Sequence, residues 1–117
     1  MTVPVTHPPV PVPGTLAWLV DEAGEDTVFT FIESLAGQRI WVPAQHIADS
    51  QLARLWGHPL AQALAARHGG CYIEIPLCRP WRVRKLLAQG CSHNEICARV
   101  GVSRRYVAKH LLRGMPA

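Results

Sequence analysis

The stretch "GGCYIEIP", residues 69–76, decides how this chain is read. Two glycines come first, then a short alternating run, then a proline. Along a strand, side chains point to opposite faces in turn, so Ile73 and Ile75 share one face and Tyr72 and Glu74 the other. The proline cannot donate to a ladder and ends the run. Upstream lies "HPLAQALAARHGG", with Pro59 in a first helical turn and Gly69–Gly70 as the stop, so a helix is expected to feed the strand.

The same grammar occurs earlier. "AGQRIWVP", residues 36–43, aligns without gaps as G-x-x-I-x-[VI]-P, matching Gly37 to Gly70, Ile40 to Ile73, Val42 to Ile75 and Pro43 to Pro76 at a spacing of 33 residues. It follows "DTVFTFIESLAG", where Val28, Phe31, Ile32 and Leu35 fall on one helical face. Asp26 is the expected cap of that helix and Gly37 its stop. Shorter helices are expected over "LAWLVDEAG" and over "DSQLARLWG", the latter capped by Asp49 or Ser50. Residues 15–78 therefore read as a duplicated helix–strand unit, with the two strands paired either within one chain or across a dimer. Residues 1–14 are proline-rich and read as an extended, flexible arm.

The charge of the 117-residue chain, +4 in total, is unevenly spread. Residues 1–78 carry Arg39, Arg54 and Arg67 against seven carboxylates. Residues 79–117 carry nine Arg and Lys against Glu95 alone, a net of +8. A small segment so basic suits a polyanion, nucleic acid first. No apolar run approaches the ~18 residues of a membrane span, and the start lacks the pattern of a signal peptide. The expectation is a cytoplasmic protein with no membrane partner. Cys71, Cys78, Cys91 and Cys97 form no CxxC pair and stand at no zinc-finger spacing to a histidine, so reduced thiols are expected, with no metal and no cofactor.

Three helices with short connections are expected in the basic segment. "PWRVRKLLAQG" places Val83, Leu86 and Leu87 on one face. "SHNEICARVG" opens with the capping box Ser92-x-x-Glu95. "VSRRYVAKHLLRG" has Ser103 as its cap. Residues 95–111 have helix-turn-helix spacing: Cys97 is the small residue at the helix crossing, Gly101 makes the turn, and Val107 packs back beneath. Ile96, Val100, Val102 and Leu111 complete the small core, and His93 and His110 are expected at the surface.

In such a motif the second helix, about residues 103–112, lies in the major groove with its N-terminal residues over base edges. Ser103, Arg104, Arg105, Ala108 and Lys109 are then the residues near the bases. Arg104 and Arg105 are the readers, since a guanidinium can hold guanine O6 and N7 together. Arg82, Arg84 and Arg113 are expected at phosphates along with Lys109, and Tyr106 is a further backbone contact.

On these residues the chain resembles a family. "GGCYIEIP" followed by "RVRKLLAQGCSHNEICARVGVSRRYVAKHLL" is similar to the Mor/C transcription activators of Mu-like phages, over residues 29–113. The resemblance implies a fold that is mainly α with two short strands: a helical dimerisation region, then a C-terminal helix-turn-helix. It implies a homodimer on double-stranded DNA with a dyad-symmetric or repeated promoter element, and recruitment of host RNA polymerase. It also implies strands that approach the DNA. Here the chain departs from the family, whose members tend to carry Gln and an aromatic where this one has Cys71, Tyr72 and Glu74. A carboxylate facing phosphate is repulsive, so Arg39 of the first copy is the strand residue expected to reach the backbone.

Other readings remain open in the sequence. The basic segment is also similar to the C-terminal domain of the DNA invertases, which suggests a repressor or a recombinase-type module, although 117 residues leave no catalytic domain beside it. A thiol enzyme built on Cys71 or Cys91 with His68 or His93 lacks an orienting third group, so no catalytic residue is expected. A protein-interaction module without a DNA role would expose Trp18, Trp41 and Trp56 as one patch.

Overall fold

The computed structural model describes residues 10–114, with side chains described through residue 110. The first nine residues of the expected arm, and the side chains expected of Leu111 and Arg113, lie outside the described residues. Two compact units divide the chain, one over Val12–Cys78 and the other from Arg79 onward. The described residues are mainly helical, with a two-stranded antiparallel sheet.

The first unit runs α1 (Ala17–Ala23), α2 (Glu25–Leu35), β1 (Arg39–Val42), α3 (Gln51–Trp56), α4 (His58–His68) and β2 (Cys71–Glu74). A 3-10 turn, Gly14–Leu16, precedes α1. Helix α2 forms because its apolar residues recur at helical spacing: Val28, Phe31 and Ile32 are buried, and Leu35 is half-buried. Its start differs from expectation. Asp26 is not the cap; Gly24 holds that place with φ 89° and ψ 149°, and no side chain caps the helix. Gly57 enters α4 with nearly the same backbone, φ 93° and ψ 156°. That region is open almost only to glycine, so the chain can turn sharply from one helix into the next. Asp26 instead sits in the first turn, where its carboxylate faces the positive end of the helix. For α3, Ser50 is the cap, its Oγ accepting from Ala53 N at 3.1 Å.

The two strands pair within the chain. Arg39 lies opposite Glu74, Ile40 opposite Ile73, Trp41 opposite Tyr72 and Val42 opposite Cys71. Val42 and Ile75 are buried toward the helices, while Arg39, Trp41, Tyr72 and Glu74 stand exposed on the other face. There the Trp41 and Tyr72 rings meet edge-on at 4.9 Å, and the Arg39 guanidinium lies 4.8 Å from the Tyr72 ring centre. The three tryptophans do not form one exposed patch. Trp41 is 52% exposed, but Trp18 lies under the Arg67 guanidinium at 4.0 Å and Trp56 packs edge-on against Phe31 at 5.3 Å.

The second unit holds α5 (Arg79–Ala88), α6 (His93–Val100) and α7 (Arg104–Gly114), each packed on the other two. Trp81, Val83, Leu86, Ile96, Val100 and Val107 fill the space between them. Helix α5 ends in a paired-bond cap: Gly90 N donates to Leu87 O and Cys91 N to Leu86 O, both at 3.0 Å. No helix among the described residues is long and apolar enough to cross a membrane.

Candidate nucleic-acid interface

The candidate interface is built on α7. Its cap is Ser103, whose Oγ accepts from Tyr106 N at 3.1 Å. Before it, α6 starts in the same way, with Ser92 Oγ accepting from Glu95 N at 3.1 Å. It stops at Gly101, which has φ 77° and ψ 41° and donates its N–H to Cys97 O at 2.9 Å. The backbone reverses there because a left-handed residue costs glycine nothing. Two residues later the next cap begins, so α7 leaves the turn in a fixed direction.

Periodicity divides α7 into two faces. Val107 is fully buried and His110 is 6% exposed, and these residues seat the helix on the unit. Ser103, Arg104, Arg105 and Lys109 are exposed, and Ala108 is half-buried beside them. Positions i, i+1, i+4 and i+5 from Arg104 form one continuous strip. The result is a helix whose N-terminal turn offers unsatisfied N–H groups, the positive end of the helix dipole and two guanidinium groups together. That arrangement attracts phosphate and can donate to acceptors on a base edge.

Tyr106 is half-buried, its ring 4.7 Å from that of His110 and tilted by 56°. The expectation of a surface His110 is therefore corrected. It follows Val107 by three residues and so falls on the buried side of the helix.

Arg82 is a second correction. It was expected at phosphate, but it is 4% exposed, and its Nη2 donates to Arg99 O at 2.9 Å. Arg99 lies in the last turn of α6, where carbonyls lack helical partners. Arg82 thus ties the end of α6 to α5 and holds the support on which α7 is seated. The signal was present in the sequence, since Arg82 precedes Leu86 by four residues and shares its buried face. Arg82→Met, which keeps the stem and removes the donor, is expected to destabilise this unit by about 1–3 kcal/mol. Denaturant unfolding of the variant checks this, and a loss below about 0.5 kcal/mol would show that the bond carries nothing.

Arg84 is half-buried, with its Nε enclosed and making no hydrogen bond to the described residues. Arg39 belongs to the other unit and is exposed on the strand face. No disulfide joins Cys71, Cys78, Cys91 or Cys97.

A scan against protein-family models finds no match to this chain, and searches of curated proteins and of solved structures find none either.

Proposed function

We propose that the chain is a sequence-specific double-stranded DNA-binding transcription regulator that reads DNA through a helix-turn-helix, as the resemblance to the Mor/C activators implies. In this reading α6 and α7 are a helix-turn-helix, and α7 enters the major groove with Ser103, Arg104, Arg105 and Ala108 over base edges and Lys109 beside them at the backbone. The single observation that carries the proposal is the exposed Ser103–Arg104–Arg105 turn at the start of a helix seated by Val107. The +8 charge of residues 79–117 supports it by favouring a polyanion over a neutral partner.

Roles divide by reach. Arg104 and Arg105 read bases, Lys109 and Arg84 neutralise phosphate, and Tyr106 packs at the edge of the contact. Recruitment of host RNA polymerase would make the outcome activation.

The test is a footprint of the purified chain on the DNA flanking its own coding sequence, with affinity measured over a salt series. A protected element bound far more tightly than random DNA, with affinity falling steeply as salt rises, is the expected result. Equal affinity for both DNAs at moderate salt would sink sequence-specific binding. A promoter–reporter fusion carrying the element then gives the sign of regulation. Lys109→Ala is expected to weaken binding to all DNA alike and to reduce the salt slope by about one counterion. An unchanged slope would remove Lys109 from the phosphate contacts.

A further inference from the structure

The strand ladder of the first unit has a symmetry that the repeat alone does not require. Glu25 to His58 and Leu35 to His68 are both steps of 33, so α2 and α4 occupy the same places in their copies. A two-fold axis between the copies demands that each strand residue meet its partner reciprocally. It does so here. Arg39 pairs with Glu74, the equivalent of Trp41, and Trp41 pairs with Tyr72, the equivalent of Arg39. Ile40 pairs with Ile73, its own equivalent, which puts the axis through that pair.

The flanking bonds obey the same operation. Gly37 N donates to Ile75 O, and Gly70 N donates to Val42 O, both at 2.8 Å. The glycines before the paired helices also match, Gly24 at φ 89° with Gly57 at 93°, and those before the strands match as well, Gly37 at 79° with Gly70 at 81°.

We propose that residues 14–76 are a fused dimer: two copies of one helix–helix–strand unit that build, within a single chain, the scaffold two chains would otherwise have to build. The ribbon's second strand comes from the same chain, so in place of the homodimer that the family resemblance implies, the chain is a monomer with one scaffold and one basic three-helix unit. It therefore brings a single reading helix to an asymmetric DNA element. The DNA part of this statement rests on the proposed function; the scaffold part does not.

Fusion also frees the halves to differ, which identical subunits cannot do. Helices α1 and α2 carry Asp21, Glu22, Glu25, Asp26 and Glu33 and no Arg or Lys, whereas α3 and α4 carry Arg54 and Arg67 and no carboxylate. The helix pair of the first copy is acidic and that of the second basic, so a partner meets two different helical surfaces across the local axis.

The test uses the full chain with Cys71→Ser, Cys78→Ser, Cys91→Ser and Cys97→Ala, into which Trp41→Cys and Tyr72→Cys are introduced. These two positions lie directly opposite each other in the ladder, a separation that a disulfide can span. On oxidation the bond is expected to close within one chain, and light scattering over a wide concentration range is expected to give the mass of one chain. Disulfide-linked pairs of chains would overturn the fused scaffold, and a two-chain mass would overturn the monomer. If that double variant fails to fold, Arg39→Cys with Glu74→Cys probes the neighbouring opposed pair in the same way. Titration of a short duplex bearing one footprinted element should reach equivalence at one chain per duplex, and two chains would count against the single reading helix. Failure to bind any DNA would strike the proposed function alone, since the crosslink and the mass decide the scaffold without it.

Discussion

Arg104→Ala with Arg105→Ala is expected to remove nearly all discrimination between the specific element and random DNA. Each bidentate arginine–guanine pair contributes about 1–3 kcal/mol of discrimination, so the double change amounts to about 2–6 kcal/mol. Both side chains are exposed in the first turn of α7, which is capped by Ser103 and seated by Val107. Neither is needed for folding, because exposed residues away from a core contact alter stability by about 0.5 kcal/mol or less. The variant should therefore keep the circular dichroism and unfolding midpoint of the parent while losing its footprint.

The comparison that matters is the ratio of specific to random binding at one salt concentration. Loss of two charges alone weakens both DNAs together, whereas loss of base readers collapses the ratio. A ratio unchanged in the double variant would move Arg104 and Arg105 to the phosphates and leave the reading of bases to other residues. Arg54→Ala, an exposed arginine in the other unit, supplies the control for simple charge loss and should leave the ratio intact.

The elements most legible in the sequence are those whose signals are local. Helix α2 follows from Val28, Phe31 and Ile32 at helical spacing, and the strands follow from an alternating run between glycine and proline. Ser50, Ser92 and Ser103 cap helices because a hydroxyl can reach the free N–H groups of the first turn. The start of α2 differs from the expected cap at Asp26 because Gly24 turns the chain directly from α1 into α2, leaving Asp26 already inside the helix. Pairing of the strands within one chain was not decided by the motif, since the same alternation serves a partner of either origin. At the candidate interface, the exposed turn of α7 could be read from Ser103, Arg104 and Arg105. The burial of Arg82 and His110 is carried by their helical spacing to Leu86 and Val107, against what charge and residue type suggest, and the partner of Arg82 is not legible at all. Arg82 is buried because a helix end seventeen residues away supplies its acceptor, and such a partner is set by tertiary packing.

Phe31→Ala should cost the first unit about 3–5 kcal/mol, the usual penalty for removing a buried aromatic ring. Phe31 is 1% exposed, and its ring meets Trp56 edge-on at 5.3 Å with the planes 82° apart. Trp56 ends α3, in the second copy, whereas Phe31 lies on α2, in the first. The ring pair therefore joins the two halves across the local axis, and its loss leaves a cavity that neither half can fill alone. A unit of this size is held by roughly 0.05–0.15 kcal/mol per residue, so a loss of several kcal/mol approaches its whole stability. Leu55→Ala is the contrast, because Leu55 adjoins Trp56 but is 64% exposed, and its truncation should shift stability by no more than about 0.5 kcal/mol. Urea unfolding of both variants, followed by tryptophan fluorescence and by hydrogen exchange of the α2 and α4 amides, separates the cases. A Phe31→Ala cost below about 1 kcal/mol would mean that the halves are joined chiefly by the strands. The expected loss, with early exchange in both helices at once, would show them to be one cooperative core.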